Sequence, residues 1–232
     1  MATSSTHSIG PSLQKLPYDP IKDFAAITHV ANVPNVLVVS PTLPVKDVKE
    51  FVALAKSKPG QLNFASSGVG TIVHLNGELF KMITGVDLVH IPYKGTALSI
   101  PDVANGSVAM LFDSLASVMP HVRSNKVKPI AVNAPARTAL LPDVPTFAEI
   151  GLREYDTYTW FGMFAPAGTP AAIVARVQAD VVASLAAADL RERFAQVGAE
   201  PVGSTPQQFT DRILADTAKW AKVIKAANVK LQ

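Results

Sequence analysis

The chain has 232 residues, room for one or two domains, and 48% of them are hydrophobic, enough for a sizeable buried core. Its 21 Lys and Arg against 18 Asp and Glu leave a net charge of only +3, and the most basic segment, Arg123 to Lys128, is broken by Ser124 and Asn125, so the clustered basic face that nucleic-acid binding needs is missing. With no cysteine, a disulfide framework, a thiolate metal site and a cysteine nucleophile are all excluded.

The opening residues Met1 to His7 carry neither the basic nor the apolar segment of a secretory signal. No later stretch approaches the roughly 20 continuous apolar residues of a spanning helix. Pro11, Pro17 and Pro20 break any long helix before residue 24. Phe24 to Ser40 reads as extended, and Val36-Leu37-Val38-Val39 is the short apolar run of a strand buried on both faces. Val45 to Lys58 has helical spacing and stops at Pro59-Gly60. Next come a strand at Leu62 to Ala65, a Ser/Gly loop, and a helix from Ile72 to Thr84 with Gly85 after it. Strands at 86–91, 108–112 and 129–132 alternate with helices at 96–105 and 114–124. This alternation predicts parallel βαβ units with right-handed crossovers. Residues 135–156 are turn-rich, Thr157 to Phe164 is extended, and helices follow at 170–187, 190–197 and 206–227. The two extended segments bracket an α/β block, as in a second domain inserted through two crossing strands, with a ligand cleft between domains.

The segment Ala65-Ser66-Ser67-Gly68-Val69-Gly70-Thr71 joins a strand to a helix. Gly68 and Gly70 permit close backbone approach, the helix N-terminus carries partial positive charge, and Ser66, Ser67 and Thr71 add hydroxyls. The combination suits an anion such as a carboxylate; an ordinary Ser or Thr cap is the plainer reading. The G-x-S-x-G of a hydrolase elbow is absent. His74, three residues past Thr71, either faces the loop as a ligand donor or is a histidine bonded to backbone. Asp113 ends a strand, where sites gather, and either accepts from a ligand or caps the helix starting at Ser114. Lys94 reads as a solvated lysine, and Trp160-Phe161 as cleft lining or hinge packing. No carboxylate pair, zinc motif or cofactor signature appears.

Several strings resemble the Bug-type solute-binding proteins of the tripartite tricarboxylate transporter family. They include Leu16-Pro17-Tyr18-Asp19-Pro20, Val33-Pro34-Asn35-Val36, Lys58-Pro59-Gly60-Gln61-Leu62-Asn63-Phe64-Ala65-Ser66-Ser67-Gly68, His90-Ile91-Pro92-Tyr93-Lys94-Gly95, Phe112-Asp113-Ser114-Leu115, Leu141-Pro142-Asp143-Val144-Pro145-Thr146 and Phe164-Ala165-Pro166-Ala167-Gly168-Thr169-Pro170. Their order and spacing extend over essentially the whole chain. The resemblance implies a class II periplasmic-binding fold: two α/β domains with mainly parallel sheets, 1–40 with 159–232 as the first and 41–158 as the second. It implies a non-enzymatic periplasmic receptor, without cofactor, that hands a dicarboxylate, tricarboxylate, acidic amino acid or aromatic acid to membrane transporter subunits. The matching ligand-binding positions are Ser66, Ser67, Gly68, Gly70, Thr71, His74 and Asp113, with Thr3, Ser4, Ser5 and His7 resembling the family's serine/threonine loop in the first domain. Family members carry a signal peptide and further strand–loop–helix elements ahead of the position of Thr3. The first domain is therefore expected to be incomplete, with strand 34–40 short of sheet partners and the chain prone to self-association. The alternatives are a sensor on the same fold, a short form that has lost binding, and an enzyme, for which no acid/base pair or nucleophile is found.

Overall fold

The computed structural model describes residues 1–155 and 157–231; Asp156, the last residue of the turn-rich stretch expected over 135–156, lies outside them. The chain opens with a two-residue strand β1 (Ala2–Thr3), a wide π-helical turn over Ser5–Ile9, a short helix α1 (Gly10–Leu13) and a ten-residue strand β2 (Phe24–Val33). Pro34, which has no N–H for a ladder, separates β2 from β3 (Asn35–Val39). Helix α2 (Val48–Ser57) is capped by Asp47, whose side chain accepts from the Glu50 amide, and buries Val48, Phe51 and Ala55. Then follow β4 (Leu62–Ser66), α3 (Ile72–Thr84), β5 (Leu88–Pro92), α4 (Ile100–Asn105), β6 (Met110–Ser114), α5 (Leu115–Arg123) and β7 (Lys128–Asn133). The return segment is β8 (Thr159–Pro166), α6 (Ala171–Leu185), α7 (Ala188–Gln196), β9 (Glu200–Pro201) and α8 (Pro206–Ala226). Thr205 and Gln208 form a reciprocal capping box at the start of α8.

These elements make two compact units, Met1–Val33 with Thr159–Gln232, and Pro34–Tyr158. The first unit has the sheet β1-β8-β2-β9, in which every pairing is antiparallel. Its core is Trp160, Phe209 and Ile213, with the Trp160 Nε1–H donating to Asp216 Oδ2 at 2.8 Å. Trp160 is thus a packing residue. The second unit has the sheet β5-β4-β6-β3-β7. Here β4 runs parallel to β5 and β6, while β3 runs antiparallel to β6 and β7.

Two expectations are corrected. The sheets are not mainly parallel, because β3 enters the second sheet directly from β2 without a crossover helix and runs against its neighbours. And β3 belongs to the second unit, not to the first: all five of its residues are buried between β6 and β7, so it does not want for sheet partners. The boundary falls at Pro34, not at residue 41.

The second unit's core has two layers. Val36, Val38, Leu111, Leu115, Val118 and Val132 pack with Ile100 and Val103 of α4. Elsewhere in this unit Phe112, Phe147 and Tyr155 stack, with Phe147 and Tyr155 centroids 4.2 Å apart. The Tyr155 hydroxyl donates to the Asn76 carbonyl of α3 and ties the turn-rich segment to that helix.

Candidate functional site

The pairings Phe64–Met110 and Ala65–Leu111 bring parallel β4 and β6 out of the sheet in step. Ser66-Ser67 and Phe112-Asp113 therefore emerge at the same sheet end. Strand β5 ends there too, because Ser66 pairs with Pro92 and the Tyr93 amide donates to the Ser66 carbonyl at 3.0 Å. Strand β3 runs the other way, so its first residue, Asn35, lies at that end between Ser114 and Asn133. The expected site residues of this unit thus share one edge of one sheet.

The Ser/Gly loop has a definite shape. Gly68 and Gly70 adopt φ of +129° and +79°, conformations that L side chains rarely take. Thr71 caps α3, accepting from the His74 amide at 3.4 Å and donating its hydroxyl proton to the Gly68 carbonyl at 2.8 Å. The Gly68 amide donates to Ser66 Oγ at 3.1 Å, and the Gly70 amide to His74 Nδ1 at 3.1 Å. Ser66, Gly70 and His74 are buried, whereas Ser67, Gly68, Val69 and Thr71 are half-buried. The loop therefore faces outward with Ser67 to Val69, while Ser66, Thr71 and His74 brace it from within.

Beneath the loop lies a pair of histidines. The rings of His74 (α3) and His90 (β5) stack with centroids 3.8 Å apart, against Phe64 of β4. His90 Nε2 is 2.7 Å from Ser66 Oγ. His74 Nε2 faces Glu78 Oε1 at 3.8 Å, and Glu78 is paired with Lys81 Nζ at 3.0 Å. Burial pushes the pKa of His74 down to about 3, helped by His90 and Lys81, and that of His90 down to about 4, helped by Lys81. Both rings are neutral near pH 7. His74, only 4% exposed, sits behind the loop with both nitrogens turned to protein groups, so the reading of a histidine bonded to backbone fits it, and not that of a ligand donor.

Asp113 is buried in β6; its Oδ1 accepts from the Ser114 amide at 2.8 Å. Its Oδ2 is buried without a well-aligned donor, although the hydroxyls of Ser117 and Thr96 are near. Burial raises its pKa against the pull of those hydroxyls, the Ser114 amide and His121. The cap of α5 is Ser114, not Asp113. Four residues that sequence reasoning did not single out as site members complete this end. Thr157 Oγ1 donates to Asn76 Oδ1 at 2.8 Å and accepts from Asn133 Nδ2, and Asn35 lies beside Asn133 in the sheet. Asparagines within apolar runs, Asn35 at the start of β3, Asn133 at the end of β7 and Asn76 inside α3, were the available signal, since amides are seldom buried without partners. Lys94 is exposed, and Tyr93 is tied to Asp102 Oδ2 at 2.6 Å. A cavity of about 590 Å³ in this unit, lined by Val48, Val52, Ile150 and Leu152, shares no residue with the sheet end.

In the first unit, Thr3 pairs with Phe161, and Ser4 is fully buried with an unpartnered hydroxyl. Ser5 begins the π-helical turn. His7 is buried among Tyr18, Phe24 and Phe164, stacked on the last at 4.3 Å, and burial lowers its pKa. Among the described residues, no group of three His, Asp or Glu is placed to hold a metal ion, and no single helix is long and apolar enough to cross a membrane.

Residues 1–229 match the tripartite tricarboxylate transporter family receptor. BugT of Bordetella pertussis is 33% identical over 232 residues, covering 100% of this chain and 71% of that protein. A Rhodopseudomonas palustris protein solved with adipate is 35% identical with a TM-score of 0.89, over 99% of this chain and 77% of that one. MatC of the same organism, solved with bound malate, is 31% identical with a TM-score of 0.83, over 96% and 77%. The chain spans roughly two thirds of the length of the curated relatives it matches, 63% and 71% for two of them. A receptor family, not an enzyme family, accounts for the fold: the chain belongs to the tripartite tricarboxylate transporter receptors, the Bug-type solute-binding proteins, on an α/β periplasmic-binding fold.

Proposed function

We propose that this chain is a periplasmic receptor that captures a small carboxylate and delivers it to the membrane subunits of a transporter. The observation that carries the reading is the meeting of the outward-facing Ser67–Val69 segment with Asp113 at one sheet end, at the N-terminus of α3. A 13-residue helix presents partial positive charge there, which favours a carboxylate. Ser66 and Thr71 hold the loop, and the Ser67 hydroxyl and loop backbone meet the anion. Asp113 is an acceptor, so it serves a hydroxyl or amine on the ligand. The adipate and malate complexes of the relatives support the ligand class.

The test is isothermal calorimetry of the chain with adipate, malate, citrate, glutamate and an aromatic acid. Saturable binding of one or more supports the reading, and Asp113→Asn should weaken hydroxy- or amino-acids more than adipate. The absence of heat and of thermal shift with every compound refutes it.

A further inference from the structure

The Ser/Gly loop is fixed from below at two points, and a histidine holds each. Ser66, where the loop leaves β4, lies 2.7 Å from His90 Nε2. Gly70, where the loop enters α3, gives its amide proton to His74 Nδ1 at 3.1 Å. The two rings stack on one another and on Phe64, so neither can turn without moving the other. We propose that His74 and His90 are positioning residues that act as one unit, setting the conformation of residues 66–70 and with it the receptor's affinity for its ligand. The affinity part rests on the carboxylate reading above; the conformational part does not.

The geometry explains why imidazole is used. The Gly70 amide takes its acceptor from a side chain, His74 Nδ1, in place of a backbone carbonyl. His74 Nδ1 supplies one only while neutral, and burial keeps it so. Neutrality fixes the tautomer: the proton sits on Nε2, towards Glu78. On the other side Ser66 Oγ both accepts from the Gly68 amide and meets His90, so the imidazole anchors the hydroxyl that anchors the loop.

The two amides of glutamine and asparagine separate position from bulk. Asparagine places its amide where Nδ1 stood, and glutamine where Nε2 stood. His74→Asn should therefore keep the Gly70 bond and His74→Gln lose it. At His90 the pattern reverses: His90→Gln keeps the Ser66 contact and His90→Asn loses it. Hydrogen exchange of the Gly70 amide, measured without ligand, should quicken about tenfold in His74→Gln and little in His74→Asn, as befits one lost hydrogen bond. Calorimetry with adipate and malate should show about tenfold weaker binding for His74→Gln and His90→Asn, and near-native binding for the other two. Equal behaviour of Asn and Gln at each position, in exchange or in affinity, would overturn the proposal, since loss of packing alone does not distinguish them. If the wild-type chain binds none of the five acids named above, the carboxylate reading fails, and the exchange pattern alone still decides whether the histidines hold the loop.

Discussion

Gly77 lies on the buried face of α3, and a Cβ built there would stand 2.2, 2.5 and 2.8 Å from three ring carbons of Phe64. Helix propensity alone favours Gly77→Ala by roughly 0.5–1 kcal/mol. Against it stands an overlap of about an ångström with a ring that is fully buried. Overpacking of this kind costs typically about 1–3 kcal/mol. The ring has no free space to yield into, because His90 stacks on it at 4.8 Å and Lys81 Nζ lies 5.9 Å from its centroid. Steric cost therefore exceeds the propensity gain, and the net expectation is a loss of about 1–2 kcal/mol. The displaced ring presses on the histidine pair, so exchange of the Gly70 amide should quicken as well. Urea unfolding measures the first effect and hydrogen exchange the second. Phe64→Leu in the Gly77→Ala background should restore part of the stability, giving a favourable coupling in a double-mutant cycle. An unchanged or raised stability for Gly77→Ala refutes the packing argument. A destabilised variant with native exchange in the loop refutes its link to the site.

Gly68→Val should weaken binding of whichever acid the chain binds by about tenfold, because φ of +129° and an approaching anion both exclude a branched side chain; native affinity by calorimetry removes Gly68 from the site. Asp216→Ala should cost about 1–3 kcal/mol in urea unfolding by stranding the buried Trp160 N–H, and a smaller loss shows that water replaces the carboxylate. Acid should destabilise the fold through the histidine pair: both pKa values fall from 6.5 on folding, so their stabilisation is full above pH 6.5 and is lost as pH drops towards about 4 for His90 and 3 for His74. At up to about 1.4 kcal/mol per pH unit for each ring, His74→Asn should flatten the stability profile between pH 6 and 4, and parallel profiles exclude the effect.

Much of this was legible in the sequence because the helices announce themselves locally. Thr71 and Gly85 bound α3 where capping rules put the ends, and Pro59-Gly60 stops α2. The β6–α5–β7 unit also reads correctly as two strands of one direction joined by a helix, since both run against β3. What no local pattern reveals is that β3 is inserted between them. An apolar run such as Val36–Val39 says that a strand is buried on both faces, but not which sheet buries it or in which direction it runs. Pairing partners more than seventy residues away decide that, and they move the unit boundary to Pro34.

The candidate site shows a different limit. Ser66, Thr71 and His74 are marked in the sequence by their chemistry, as donors beside a glycine turn, yet the fold spends that chemistry on the turn itself. This follows from the glycines. Two residues of positive φ leave backbone amides pointing away from any helical or sheet partner, and buried amides must find an acceptor. The nearest polar side chains are recruited, and the stretch Ser67 to Val69 is left half-buried. His90 is the converse: it belongs to a strand, lies twenty-four residues from Ser66 and carries no local mark, but the parallel pairing of β4 with β5 sets it under the loop. In a strand–glycine–helix loop of this kind, then, the residues nearest the turn in sequence are the ones most needed to build it, and under the proposed function specificity would fall to the half-buried loop backbone and to groups such as Asp113 that arrive from the neighbouring strand.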